Sequence, residues 1–348
     1  MTSVAKRILI VGGYGHVGNR LARRLIEFQT GTVTIAGRSL DKAQRLAAHL
    51  HCKATLLDLE NSQNWDDVLN DADIVIVCMD QKDASFAAQV LKSGKTYVDI
   101  TASDALFQQI EALQHTARAH EGRAILSVGL APGLTNLLVK ACTDRLDQAN
   151  RVRIGIMLGL GDDHGRAAID WTFQNLLSSP PLPHSINMFA FGHPPTAFPM
   201  IPFDFADQHV IRRRQNIPDT ATYLSLVPAM MARAIFALIP VLQRSRPFSR
   251  WVRKLMPYLR FGSDRTALSV EVEGVRQGQP TTVRATMEGR KEAEITALVA
   301  AFVVNAASNR PIPSGVHHLD EIMSLEEVLP FLSENAINIH IQEVTVRA

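Results

Sequence analysis

The chain has 348 residues, of which 46% are hydrophobic and 20% charged, and its formal net charge is +2. That length is compatible with about two domains and ample cores, and so even a charge balance excludes a chain-wide case for nucleic-acid binding. Cys52, Cys78 and Cys142 lie far apart with no CxxC spacing, so neither a zinc site nor a disulfide framework is expected, which suits a reducing cytoplasm. The first apolar run begins almost at Met1, so no signal peptide is expected.

Lys6 to Val11 reads as a buried strand, and Val17, Leu21, Leu25 and Phe28 recur at helical spacing after it. Between them stand Gly13, Tyr14, Gly15, His16, Val17 and Gly18, a GxGxxG pattern in strand-turn-helix context. Gly13 is expected to make the tight turn, Gly15 to let backbone approach a pyrophosphate, and Gly18 to let helix and strand pack closely. The helix N-terminus then offers unpaired N–H groups and a positive dipole end to the phosphates.

The second strand, Thr32 to Gly37, ends where a site selective for the unphosphorylated ribose usually places an acid. Arg38 and Ser39 stand there instead. A guanidinium with a neighbouring hydroxyl suits a 2′-phosphate, so NADP(H) is expected in preference to NAD(H).

Strand and helix patterns continue to alternate: a helix over Asp41–Leu50, a strand over Ala54–Leu57, a short helix over Trp65–Leu69 and a strand over Ile74–Cys78. A helix over Ala84–Leu91, a strand over Tyr97–Ile100, a helix over Ala105–His120 and a strand over Ala124–Val128 follow. The class is α/β, a Rossmann doubly wound parallel sheet, and ligands of such sheets bind at the carboxyl ends of the strands. Those ends supply further cofactor candidates, Asp58, Leu59, Cys78, Met79, Thr101 and Ala102, and the segment Gly129–Asn136. Asp58 and Asp80 read equally well as turn or helix caps.

From Arg151 the pattern becomes α+β, with a strand over Val152–Leu158, a helix over Arg166–Leu177 and a hairpin pairing Leu268–Val275 with Thr281–Met287. Residues 1–135 are thus expected to form an NADP-binding Rossmann domain and 136–310 a second α+β domain for substrate and oligomerisation. Residues 311–348 are expected to form a C-terminal segment packing back on both. Within the second part, 212–260 is a basic, apolar insertion, expected to be helical. It holds ten Arg or Lys against the single acid Asp219, and Tyr223–Leu242 approaches the length of a membrane span. Arg233, Pro228 and Pro240 argue against a true span. A helical lid or subunit interface, a surface docking peripherally on anionic membrane, and a polyanion site all remain open.

Gly129-Leu-Ala-Pro-Gly-Leu-Thr-Asn136, taken with Gly13–Gly18, Arg38 and Tyr97-Val-Asp-Ile-Thr101, resembles the saccharopine dehydrogenase-like oxidoreductases. The resemblance covers about residues 6 to 140, and Pro311–Val316 is similar to family members near their C-termini. It implies an NADP-binding Rossmann domain, an α+β domain whose sheet faces the coenzyme, and reversible hydride transfer at a carbon bonded to an amine. The saccharopine-forming members carry an aspartate before Pro-Gly and acidic or histidine residues after it, whereas this chain has Ala131, Thr135 and Asn136.

In such chemistry the nicotinamide transfers the hydride while the protein positions substrate, excludes water and supplies a proton. Asp99, Ser103 and Asp104 are the candidate donors or orienting groups, although Ser103 and Asp104 also suit a helix N-cap. Arg166 could clamp a substrate carboxylate or lie solvated in its loop. His317 and His318 lack a second ligand cluster, so no metal is expected. The expected protein is a cytoplasmic, homo-oligomeric, NADP-dependent oxidoreductase acting on a small molecule, an amine, imine or keto compound. A non-catalytic NADP(H)-binding regulator and a membrane-peripheral reductase of a hydrophobic substrate are the alternatives.

Overall fold

A computed structural model describes residues 5–163, 166–178, 187–192, 195–255 and 262–344. The chain divides into two compact units, Met1–Leu134 with Thr296–Ser324, and Thr135–Ile295 with Leu325–Ala348.

In the first unit the strands are β1 (Lys6–Val11), β2 (Gly31–Gly37), β3 (Lys53–Leu56), β4 (Ile74–Val77), β5 (Thr96–Asp99) and β6 (Arg123–Leu126). Between them run α1 (His16–Glu27), α2 (Leu40–Leu50), α3 (Trp65–Asn70), α4 (Ser85–Lys92), α5 (Asp104–Glu111) and α6 (Gln114–Ala119). The second unit opens with α7 (Thr135–Thr143), β7 (Gln148–Gly159), α8 (Arg166–Ser178), β8 (Asn187–Phe191), β9 (Thr196–Pro202) and α9 (Ala206–Arg214). It continues with β10 (Asp219–Val227), α10 (Ala229–Arg244), α11 (Arg246–Leu255), β11 (Arg265–Arg276) and β12 (Gln279–Arg290). Helix α12 (Glu292–Asn309) carries the chain back to the first unit, where β13 (Gly315–His318) and α13 (Leu319–Ile322) lie; α14 (Leu325–Glu334) and β14 (Asn338–Val344) belong to the second.

Among the described residues, seven strands form the first sheet in the order β13-β6-β5-β4-β1-β2-β3, and every pairing in it is parallel. This is the doubly wound arrangement expected from the alternating patterns. Its centre is apolar on both faces: Ile8 to Val11 and Ile74 to Val77 are all buried, as parallel strands covered by helices require. Each such side chain contributes about 1.5–3 kcal/mol when fully buried. The chain order reverses at β1, between β2 and β4, so the topological switch point falls at the glycine turn.

The second sheet is mixed, in the order β14-β12-β11-β7-β10-β9-β8, with β7 and β10 parallel and the other pairings antiparallel. The β11–β12 hairpin turns through Gln277 and Gly278, both left-handed at φ 51° and 74°, the conformation a tight two-residue hairpin demands. Met157, Phe189, Phe191, Met200 and Ala267 make an aromatic-rich core, against which Phe198, Tyr223 and Val227 pack.

One expectation is corrected here. The stretch 212–260 is not helical throughout: among its described residues α10 and α11 are helices, but β10 is a central strand of the second sheet, hydrogen-bonded to β7 and β9. Thr220, Thr222 and Leu224 alternate inward along it, and Pro228, which lacks an N–H, ends the strand and starts α10. The apolar run Tyr223–Leu242 is therefore part strand and part helix. Residues 311–348 divide between the two units: β13 extends the first sheet beside β6 and β14 extends the second beside β12.

Candidate active site

The turn after β1 is held by backbone bonds, with the Gly12 and Gly13 amides donating to the Ala36 carbonyl at 2.9 and 3.3 Å and the Gly15 amide to the Gly12 carbonyl at 2.8 Å. The left-handed residue is Gly12 (φ 75°), not Gly13. A Cβ on Gly12 would also stand 3.1 Å from the Cys78 carbonyl and 3.2 Å from the Met79 Cβ, so this glycine brings the turn against the end of β4. Gly12 was not singled out from the sequence; the doubled glycine at 12–13 was its signal. A Cβ on Gly18 would lie 2.4 Å from the Gly12 carbonyl oxygen, and one on Gly15 2.9 Å from it. Gly15 caps α1 with extended backbone and no side-chain hydrogen bond, so no capping side chain occupies the start of the helix. The His16 carbonyl accepts from Arg20 Nη1 at 2.6 Å, within the helix.

At the end of β2 the Tyr14 ring lies so close to Gly37 that a Cβ there would meet Cε1 at 2.6 Å, and the Tyr14 hydroxyl accepts from the Ser39 amide at 3.1 Å. Tyr14 thereby ties the glycine turn to the segment bearing Arg38. The Arg38 side chain is exposed, while Ser39 Oγ caps α2 by accepting from the Lys42 amide. Asp58 is occupied as a turn residue, its carboxylate accepting from the Glu60 amide at 3.0 Å and its carbonyl from Trp65 Nε1 at 2.9 Å. Leu59 is half-buried beside it.

The ends of β4 and β5 carry a buried polar hub. The Asp99 carboxylate accepts from the Tyr97 hydroxyl at 2.5 Å, Gln81 Nε2 at 2.8 Å, and the Thr101 amide and hydroxyl at 2.7 and 2.5 Å. Burial pushes its pKa up, against the pull of the Thr101, Tyr97 and Gln81 hydrogen bonds. Burial and then the Asp99 charge raise both the Tyr97 hydroxyl and the Cys78 thiol, which are thus held protonated. Gln81 donates to Tyr97 as well, and its own carbonyl oxygen is buried without a partner among the described residues. Asp99 is fully enclosed and saturated with donors, so it anchors Thr101 and Gln81 instead of reaching outward itself. Ala102 is half-buried next to them. Ser103 is exposed and caps α5 through the Leu106 amide, and Asp104 accepts from Gln108 Nε2 at 2.7 Å, so both are engaged in starting that helix.

Beyond β6, Ser127 is left-handed (φ 56°) and fully buried, and its hydroxyl lies 2.7 Å from His318 Nδ1. His318 Nε2 is 2.9 Å from Glu111 Oε1, and the ring meets Phe107 edge-on. His318 is thus a hydrogen-bonded core residue joining β13, β6 and α5. Among the described residues no group of three His, Cys, Asp or Glu side chains could hold a metal. The turn that follows is compact: the Leu134 amide donates to the Gly129 carbonyl at 2.8 Å, and a Cβ on Gly133 (φ 137°) would meet the Ser127 carbonyl at 2.9 Å.

Within the second unit Thr135 and Asn136 are fully buried at the start of α7. Asp207 of α9 is equally buried; it accepts from the Thr222 hydroxyl at 2.8 Å and the Gln208 amide at 2.7 Å. Burial drives its pKa up to about 6, with Thr222, Gln208 and Thr135 opposing. This ionisable group beside Thr135 was missed, because 71 residues separate Asp207 from Asn136 and only β10 and α9 bring it near. Arg166 opens α8, and its side chain lies outside the described residues.

A parallel sheet with an unblocked helix N-terminus over a glycine turn at its switch point defines a dinucleotide-binding Rossmann unit joined to a mixed α+β unit. A sequence model of the shikimate/quinate 5-dehydrogenase family matches residues 2–117. Saccharopine dehydrogenase (L-Glu forming) from Saccharomyces cerevisiae superposes with a TM-score of 0.65 at 15% identity, covering 97% of this chain and 100% of that one. The DAP dehydrogenase of C. glutamicum gives 0.49 at 15% identity over 95% and 99%. No curated protein sequence matches the chain. The fold is therefore saccharopine dehydrogenase-like in both units.

Proposed function

We propose that this protein is an NADP(H)-dependent oxidoreductase acting on a small molecule. The observation that carries the coenzyme is the cradle at Gly12, Gly15 and Gly18: a Cβ on Gly15 or Gly18 would collide with the Gly12 carbonyl, Gly12 itself is left-handed and crowded by the Cys78 carbonyl, and the helix end above has no capping side chain. Side chains have been excluded from the approach to a helix N-terminus, which is what a pyrophosphate needs. The first-turn amides of α1 after Gly15 would hold the diphosphate, and Arg38, exposed and without a hydrogen bond or ion pair among the described residues, would take the 2′-phosphate. Once bound, the nicotinamide supplies or accepts the hydride.

Oxidoreductase chemistry is supported by the fold shared with the yeast enzyme. The chain's own contribution lies at the ends of β5 and β6. Asp99 acts as a positioning residue that fixes Thr101, whose hydroxyl oxygen keeps lone pairs for a substrate or coenzyme group. The unpartnered Gln81 carbonyl oxygen is a ready acceptor at the neighbouring strand end.

Titration of NADPH and NADH into the wild type and Arg38→Ala tests this reading. NADPH is expected to bind more tightly than NADH, and the variant to lose roughly tenfold to a hundredfold for NADPH alone, the worth of charged hydrogen bonds. An equal loss for both coenzymes would remove Arg38 from the argument. Tight NADPH binding with no turnover of amines, imines or keto compounds would instead identify a non-catalytic coenzyme-binding protein.

A further inference from the structure

Helices α10 and α11 present a face that the coenzyme site does not explain. On its inner side α10 buries Ala232, Phe236, Ile239 and Leu242, packing against β9 and β10. A surface helix ordinarily turns polar residues outward. This one is apolar there as well: Met230 is 83% exposed and Val241 50%, with Leu238 exposed beside them. Positions 230, 234, 238 and 241 follow one another at helical spacing, so these side chains form a continuous outer stripe. Trp251 of α11 is 60% exposed, stacked against Phe248 at 6.1 Å.

Cations border this stripe. Arg233, Arg244, Arg250 and Lys254 are exposed and make no hydrogen bond or ion pair among the described residues, whereas Arg253 is paired with Asp170 at 2.6 Å. No Asp or Glu occurs between Asp219 and Asp264. We propose that this face docks on an anionic phospholipid surface, with α10 and α11 lying in the interfacial plane, the apolar stripe and Trp251 entering the headgroup boundary and the cations engaging lipid phosphates. The combination of an apolar face, flanking Arg and Lys and an exposed Trp is what an interfacial helix requires. Among the described residues no helix is long and apolar enough to cross a bilayer, so the contact is peripheral. A second copy of the chain fits the face poorly, because a two-fold interface would set these cations against themselves with no acid between them.

Flotation of the full-length protein separates the readings. It is expected to rise with vesicles of phosphatidylcholine containing about one-third phosphatidylglycerol, to stay behind with phosphatidylcholine alone, and to be released by salt. Arg250→Ala with Lys254→Ala should weaken binding roughly 25-fold, about fivefold per charge. Met230→Ser with Trp251→Ser should weaken it while thermal unfolding followed by circular dichroism stays as in the wild type, which reports that the variants fold. Equal flotation on neutral vesicles, absence of flotation, or variants that float like the wild type would each overturn the proposal. So would self-association, seen by sedimentation, that these substitutions abolish in a protein that does not float.

Discussion

Among the described residues each unit encloses one aspartate completely, and the two carboxylates are treated differently. Asp99 receives four hydrogen bonds, from Tyr97, Gln81 and twice from Thr101, at the carboxyl end of a parallel strand. Asp207 receives bonds from one hydroxyl and one amide, with help from Thr135, and its pKa settles at about 6. Burial raises both. In both cases burial is the leading cause and the hydrogen bonds oppose it, and the difference lies in how many donors each carboxylate has been given.

The largest expected effect tests the anchor. Asp99→Ala strands the Tyr97 hydroxyl, the Gln81 amide and the Thr101 donors inside the protein, and should lower unfolding stability by about 3–5 kcal/mol in denaturant titration. A loss under about 1 kcal/mol would break the distinction between the two sites.

Asp207 calls for a pH series. Its pKa rises on folding from 3.8 to about 6, so the folded chain holds that proton more tightly than the unfolded one. The associated stability is present in full below about 4 and is lost as the pH climbs through about 6. Asp207→Asn, which cannot ionise, should therefore gain on the wild type by up to about 3 kcal/mol between pH 4 and pH 7, from the two-unit shift at 1.36 kcal/mol each. A pH-independent difference between the two proteins would mean that Asp207 is as firmly ionised as any surface carboxylate.

The smallest effect belongs to Ser103. If its hydroxyl only caps α5, Ser103→Ala should cost about 1 kcal/mol in thermal unfolding and leave catalytic pH dependence unchanged. A shifted pH profile with unchanged stability would return Ser103 to the chemistry and sharpen the contrast between anchor and reactive group.

Much of the first unit was legible because its signals are local. Buried strands read as apolar runs, and glycines are demanded by backbone contacts a few residues away, as Gly18 against Gly12 shows. The doubled glycine still concealed which residue turns the chain, since only the backbone angle at Gly12 distinguishes it from Gly13. Tyr14 was expected merely as part of the glycine motif, but its ring and hydroxyl connect that motif to Gly37 and Ser39. β10 was hidden inside an apolar stretch because periodicity cannot tell a short central strand from the start of the helix that follows it.

The sequence by itself determined the parallel sheet, the glycine turn after β1 and the arginine that follows β2, because each depends on residues adjacent along the chain. Tertiary structure alone decided that His318 would close onto Ser127 and Glu111, that β13 and β14 would join different sheets, and that Asp207 would stand buried among Thr222, Gln208 and Thr135. The physical reason is the same in each case: desolvation and hydrogen bonding act between neighbours in space, and those neighbours are set by strand order and not by position in the chain.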